Sequence, residues 1–184
     1  MGQVYEGIDQ RLRDFIGQQR MFFVGTAPSG PGGHINISPK GMTGTFAVLN
    51  QHRVAYLDYS GSGVETVAHL RENGRIVIMF CAFEGPPKIV RLHGRGEAVP
   101  VTDPRCAALL AAFPDAPDRH GLRSVIAVDV TRVSDSCGFA VPLMTYHDDR
   151  DLLIQSHSRR TDADLVDYWK TRNGTSVDGL PGMG

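Results

Sequence analysis

Apolar residues along this chain come in short runs, many alternating with polar ones, and glycine or proline separates most runs from the next. Ile8, Leu12, Phe15 and Ile16 share one helical face with Asp9, Arg11 and Arg13 off it, which predicts a short helix over residues 8–19. Residues 21–27 read as a strand that stops at Pro28-Ser-Gly-Pro-Gly-Gly33. Residues 34–38 follow as a second strand, joined to the first as a hairpin, with Ile35 and Ile37 on one face and Asn36 and Ser38 on the other. Residues 45–49 and 53–59 form another strand pair around Asn50-Gln-His52. A helix is predicted from about residue 64 to 73, with Val67 and Leu70 inward and Gly74 as its stop.

Residues 75–83 are apolar on both faces, the pattern of a central strand buried on both sides. Beyond Gly85-Pro-Pro87, residues 88–101 alternate so that Arg91, His93 and Arg95 share one face and Val90 and Leu92 the other. Asp103 caps and Pro104 opens a helix reaching about Phe113. Residues 124–134 are one more strand, 141–146 a short strand before the acidic turn 147–150, and 161–170 a last helix. The glycine-rich residues 171–184 are expected to be an extended or loose arm, with Tyr168, Trp169 and residues 178–182 reaching toward a partner. Six or seven strands joined mostly by turns predict a mainly β, α+β fold, a closed or half-closed antiparallel barrel rather than a doubly wound sheet. No repeat or Pro-rich linker divides residues 1–184, so a single domain is expected.

Composition narrows the function. The net charge of −1 offers no field for nucleic acid or an anionic membrane, so neither is expected as a partner. The charged N-terminal stretch lacks the apolar core of a signal peptide, and the longest apolar run, 76–83, is too short to span a bilayer. Cys81, Cys106 and Cys137 are widely spaced with no Cys-x-x-Cys pair, which fits a reduced, cytoplasmic protein. No His-Glu-x-x-His, Gly-x-Ser-x-Gly or P-loop pattern is present, against a zinc hydrolase, a serine hydrolase of that type or a nucleotide triphosphatase.

The strongest local signal is Asp58-Tyr-Ser-Gly-Ser-Gly-Val-Glu-Thr66, where a strand gives way to a helix. Helix N-termini carry unpaired N–H groups and a slight positive charge, Gly61 and Gly63 allow close approach, and Ser60, Ser62 and Thr66 offer hydroxyls, so a phosphate suits this turn. Ser62-x-x-Glu65 equally reads as a capping box. Lys40 is placed to swing its ammonium over a nearby anionic ligand, and Asn36 and Ser38 to bond the rim of a flat heterocycle. Arg91, His93 and Arg95 form a basic stripe on a sheet face. His93 is the preferred axial ligand if the cofactor is haem, with His147 and His157 as others.

Taken together, several segments resemble one branch of the pyridoxamine 5′-phosphate oxidase-like proteins. They are Ile35-Asn-Ile-Ser-Pro-Lys-Gly41, Val54-Ala-Tyr-Leu-Asp58 with Gly61-Ser-Gly-Val-Glu-Thr66, and His69-Leu-Arg-Glu-Asn-Gly74. Phe80-Cys-Ala-Phe-Glu-Gly-Pro-Pro87, Leu92-His-Gly-Arg-Gly96, Ser136-Cys-Gly-Phe139 and Asp178-Gly-Leu-Pro-Gly182 continue the pattern in the same order. The resemblance implies a dimeric split β-barrel with FMN in a cleft at the dimer interface. It implies that the phosphate meets Lys40, Ser60, Ser62, Gly63 and Thr66, and that the ring lies along residues 36–38. Where the vitamin B6 oxidase itself has a Ser-Arg-Lys grip, this chain has Ser62-Gly63-Val64, and the C-terminal Arg-x-His substrate motif is missing, so pyridoxamine oxidation is not implied. The expected function is a flavin-dependent oxidoreductase acting on a small molecule. A deazaflavin-dependent reductase and a haem-binding protein on the same barrel are the alternatives.

Overall fold

The computed structural model describes residues 2–183. Its eight strands are β1 (Val4–Tyr5), β2 (Phe22–Thr26), β3 (Asn36–Lys40), β4 (Phe46–Asn50), β5 (Arg53–Tyr59), β6 (Arg75–Cys81), β7 (Ile89–Pro100) and β8 (Leu122–Ser136). Five helices intervene: α1 (Gln10–Gln18), α2 (Glu65–Asn73), α3 (Pro104–Leu110), α4 (Leu152–Ser158) and α5 (Asp162–Arg172). The strands form one antiparallel sheet in the order β3-β2-β6-β7-β8-β5-β4, with β1 on β8.

The sheet is open in hydrogen bonding but curls until its two sides meet. Phe46 of β4 packs edge-on against Phe22 of β2 at 4.9 Å and against Phe80 of β6 at 5.1 Å between ring centroids. Alternating residues of five strands, among them Val24, Tyr56, Ile78, Leu92 and Ile126, fill the interior, and α1 plugs one end with Leu12 and Ile16. A half-closed barrel is what the alternation predicted. In the long β7–β8 pair the register shifts between His93 and Gly94, the mark of a bulge that bends the strands. A side chain at Gly94 would fall on the Asp129 carbonyl, so the bulge needs glycine there.

Strands buried on both faces exist, but β6 is not among them. Residues 54–59 of β5 and 122–128 of β8 are buried at every position, because α3 and Phe113 cover their outer face. In β6, Ile76, Ile78 and Phe80 are buried, while Val77 and Met79 on the outer face are only half-covered. Opposite Met79 lies Phe23, which in turn faces Pro39, and Gly25 stands between Val77 and Ile37. The outer face of β3, β2 and β6 is therefore a continuous apolar surface, with Ile37 70% exposed and Ile35 76% exposed beside it.

Two other expectations change. Residues 141–146 form no strand: Pro142 cannot donate to a ladder, and Leu143 and Met144 stay exposed. The C-terminal stretch is not loose. It folds back after α5, with a bridge between Thr175 and Pro181 and hydrogen bonds from Gly182 N to Gly174 O and Met183 N to Asn173 O. Asp178 of this hairpin accepts from His34 N at 2.8 Å and lies 2.6 Å from His34 Nδ1. No helix among the described residues is long and apolar enough to cross a membrane.

Candidate functional site

Edge strand β3 and the turn that carries β5 into α2 stand apart, and the gap between them is a cleft of about 300 Å³. Ser38 and Lys40 line it from the β3 side; Ser62, Gly63 and Thr66 line it from the turn and the first turn of α2. Residues up to 30 positions apart in sequence meet because β3 presents Asn36, Ser38 and Lys40 on the face that points into the curled sheet.

Behind the cleft lies a buried ionic cluster. Asp58 is 1% exposed and Arg123, from the start of β8, 3% exposed. Arg123 Nε donates to Asp58 Oδ2 at 2.7 Å, and Nη2 to Oδ1 at 3.3 Å. Its remaining donors hold the Gly63 carbonyl at 2.8 Å and Asn173 Oδ1 at 3.0 Å, while Asn173 Nδ2 donates to the Gly61 carbonyl at 3.0 Å. Ser124 Oγ donates to Asp58 Oδ2 at 3.0 Å, and Lys40 Nζ stands 3.6 Å from Oδ1. Burial alone would raise the Asp58 carboxyl; Arg123, then Lys40, and the hydrogen bonds from Arg123 and Ser124 overcome it and hold the group below the ordinary range. Arg123 thereby ties both glycines of the turn to the body of the protein, and Asp58 keeps the Lys40 ammonium at the cleft wall.

A second network runs under β3. Asn36 Nδ2 donates to Thr26 Oγ1 and Thr66 Oγ1, both at 3.1 Å, and Ser38 Oγ donates to Asn36 Oδ1 at 3.0 Å. Thr26 Oγ1 also lies 3.0 Å from Nδ1 of the fully buried His69. Burial pushes the His69 imidazole down, so it is neutral at pH 7. Both amide hydrogens of Asn36 are committed inside this network, which leaves the Ser38 oxygen and the second lone pair of Asn36 Oδ1 for the cleft.

Five of the residues singled out by sequence therefore converge on one cleft, and Asn36 braces it from behind. Ser60 does not belong with them. It is 2% exposed, donates Oγ to the Gly121 carbonyl at 2.7 Å and accepts the Trp169 indole N–H at 2.6 Å, so its hydroxyl is spent on packing α5 against the sheet. The capping box is not formed either: Val64 is the N-cap of α2, no side chain caps it, and Glu65 Oε2 accepts from Val64 N at 3.0 Å. Ser62 is left exposed and free. Ser62→Ala is accordingly expected to change apo stability by no more than about 0.5 kcal/mol, as for an ordinary surface substitution. A urea titration showing the loss of on the order of 1 kcal/mol typical of a missing cap would contradict this.

His93 is exposed on the outer face of β7 and does not line the cleft. Among the described residues, no three His, Cys, Asp or Glu side chains cluster as a metal site. Sequence reasoning missed Arg123, Asp58 and Asn173. The signal for Arg123 was available: it is the only charged residue in the otherwise apolar and small run 122–128, and a charge in a buried strand must be paired.

A phosphate needs a cation and several N–H or O–H donors. The cleft supplies Lys40 and the Ser62 hydroxyl beside the N-terminal end of α2, and Glu65, which also lines it, has its carboxylate engaged by Val64 N. These residues fit the phosphate end of a flavin mononucleotide.

Comparison with known proteins adds the following. A family profile described as pyridoxamine 5′-phosphate oxidase matches residues 8–137. The pyridoxamine 5′-phosphate oxidase family protein ustO of Aspergillus flavus is 38% identical, over 97% of this chain and 77% of that protein. Among solved structures, HupZ of Group A Streptococcus superposes with a TM-score of 0.53 at 23% identity, covering 68% of this chain and 91% of that one. The FAD binding protein of Mycobacterium smegmatis gives 0.52 at 14% identity, covering 73% and 96%.

Proposed function

Because this chain belongs to the pyridoxamine 5′-phosphate oxidase family, we propose that it is a flavin-dependent oxidoreductase that binds FMN in the cleft between β3 and the residue 61–63 turn. The observation that carries the reading is the convergence of Lys40, Ser62, Gly63 and Thr66 on that one cleft from separate elements. In this reading Lys40, Ser62 and the N–H groups of α2 hold the phosphate, and Ser38 with the Asn36 carbonyl meets the edge of the ring. The flavin supplies hydride transfer to or from a small-molecule substrate; the protein supplies orientation and electrostatics. A fold neighbour described as FAD binding supports a flavin in general. The cleft's two cations, Lys40 and Arg123, both face Asp58, which favours FMN over a longer, more acidic deazaflavin. Titrating FMN and riboflavin into the purified protein tests the reading: FMN is expected to bind more tightly. No saturable binding of FMN, or equal affinity for the two, would reject it.

The same reading includes a homodimer. The apolar outer face of β3, β2 and β6 is uncovered in a single chain, and an exposed apolar edge strand is a surface that proteins bury against a partner. A second copy related by a two-fold axis covers it with its own equivalent surface and closes the open side of the cleft. The wild-type chain is expected to sediment as a dimer at micromolar concentration, and Ile37→Lys as a monomer. A wild-type monomer would rule out the assembly.

A further inference from the structure

We propose that the end of the barrel beneath α1 is a second binding site, separate from the cleft, for a small organic carboxylate with a ring-sized apolar body. A cavity of about 210 Å³ opens there between the last turns of α1 and the chain linking β3 to β4, and it shares no lining residue with the cleft. That volume holds a single ring with a short acidic substituent and is too small for a flavin.

Its floor is aromatic. Phe22, Phe46 and Phe80, the rings on which the two sides of the sheet meet, line it, with Ile16 and Val48 beside them. Such a floor takes another ring in edge-to-face contact. The rim is cationic. Arg13 and Arg20 both line the cavity, and among the described residues neither has a carboxylate within 4.0 Å. Each is nevertheless held in place: Arg13 Nη1 donates to the Val48 carbonyl at 2.5 Å, and the Arg20 guanidinium lies over the Tyr146 ring at 4.9 Å. The nearby Asp149 accepts from the Thr43 N–H at 2.7 Å, and Arg20 acts on it from beyond ion-pair distance. Two oriented guanidinium groups beside an apolar pocket, Arg13 with no carboxylate in ion-pair range and Arg20 with only the more distant Asp149, match a carboxylate carried on an apolar body.

The backbone of the rim points the same way. Met42 has φ 72°, the one non-glycine residue with positive φ among those described. Thr45 locks it there, donating from N at 3.3 Å and from Oγ1 at 2.7 Å to the Met42 carbonyl. Non-glycine residues held in the left-handed region concentrate at ligand sites, where the surrounding structure maintains a shape the chain alone would relax. Gly17 completes the opening: a Cβ there would meet no atom within 4 Å. Its lack of a side chain keeps the cavity accessible at a helical position where glycine is otherwise unfavourable.

Benzoate is the probe, with benzyl alcohol as its neutral counterpart and acetate as the anion without a ring, each titrated into the full chain by calorimetry. Benzoate is expected to saturate in the micromolar-to-millimolar range. Benzyl alcohol and acetate should each bind at least about tenfold more weakly, the usual scale for losing a charge-assisted hydrogen bond or a buried ring. Arg20→Gln should weaken benzoate by about tenfold or more. Gly17→Leu should abolish it by filling the cavity while leaving the melting temperature equal or higher. The proposal is overturned by absence of saturable benzoate binding, by equal binding of benzoate and benzyl alcohol, or by benzoate binding that survives Gly17→Leu. FMN affinity measured on the same Gly17→Leu sample should match the wild type, so this site and the flavin cleft stand or fall separately.

Discussion

Arg123→Met is expected to destabilise the apo protein by about 3–5 kcal/mol, the largest effect of any single substitution considered for this fold. The guanidinium is 3% exposed and satisfies Asp58, Asn173 and the Gly63 carbonyl together. Methionine fills similar volume but leaves the Asp58 carboxylate buried with only Lys40, at 3.6 Å, and the Ser124 hydroxyl for compensation. The pH dependence identifies the cause. In the wild type the Asp58 carboxyl lies below its ordinary value because Arg123 and Lys40 outweigh burial, so its contribution is present above about pH 3.9, the unfolded value, and is lost as pH falls through the folded value. In the variant burial dominates, the folded carboxyl titrates above its unfolded value, and protonation relieves the penalty. Urea unfolding should therefore show a gap between the two proteins that is widest near neutrality and narrows toward pH 4. A gap below about 1 kcal/mol at pH 7, or one independent of pH, would mean that the cluster contributes little.

Lys40→Ala is expected to weaken FMN binding by roughly 10- to 150-fold while leaving riboflavin nearly unchanged, since a hydrogen bond to a charged group contributes about 1.5–3 kcal/mol. The selectivity for the phosphorylated ligand is the decisive part. Loss of Lys40 also removes one of the two cations beside Asp58, but Arg123 keeps its bidentate contact, so the apo protein should remain folded. Parallel titrations with both flavins separate the two effects. If the variant loses both ligands equally, Lys40 acts on the shape of the cleft rather than on the phosphate.

Local patterns carried much of this structure. The hairpin of β2 and β3, the α2 stop at Gly74 and the Asp103–Pro104 helix start follow from spacing within a few residues, and the structure reproduces them within two or three positions. What failed to read depended on partners distant in sequence. Asp58 meets Arg123 only because β5 pairs with β8, aligning Asp58 with Ser124, and no local pattern states which strands pair. Ser60 looked like a free hydroxyl until α5 brought Trp169 onto it from 109 residues away. Residues 75–83 looked buried on both sides because an apolar face reads the same whether or not its own chain covers it. Helix α4 was missed where Leu153, Ile154 and the buried His157 form a single short stripe. Its polar anchor, His157 Nε2 lying 2.9 Å from the Ser60 carbonyl, is again non-local.

The contact between Trp169 and Ser60 makes the molecule its own indicator. Trp169 is the only tryptophan in the chain, and its indole N–H is fixed on the residue immediately before the 61–63 turn. All tryptophan emission therefore originates from a ring tethered to the residue that leads into that turn. If FMN binds as proposed, it accepts excitation energy from the indole, and its arrival is read as quenching at a single defined position. Every titration proposed for the cleft can be followed on the unlabelled protein.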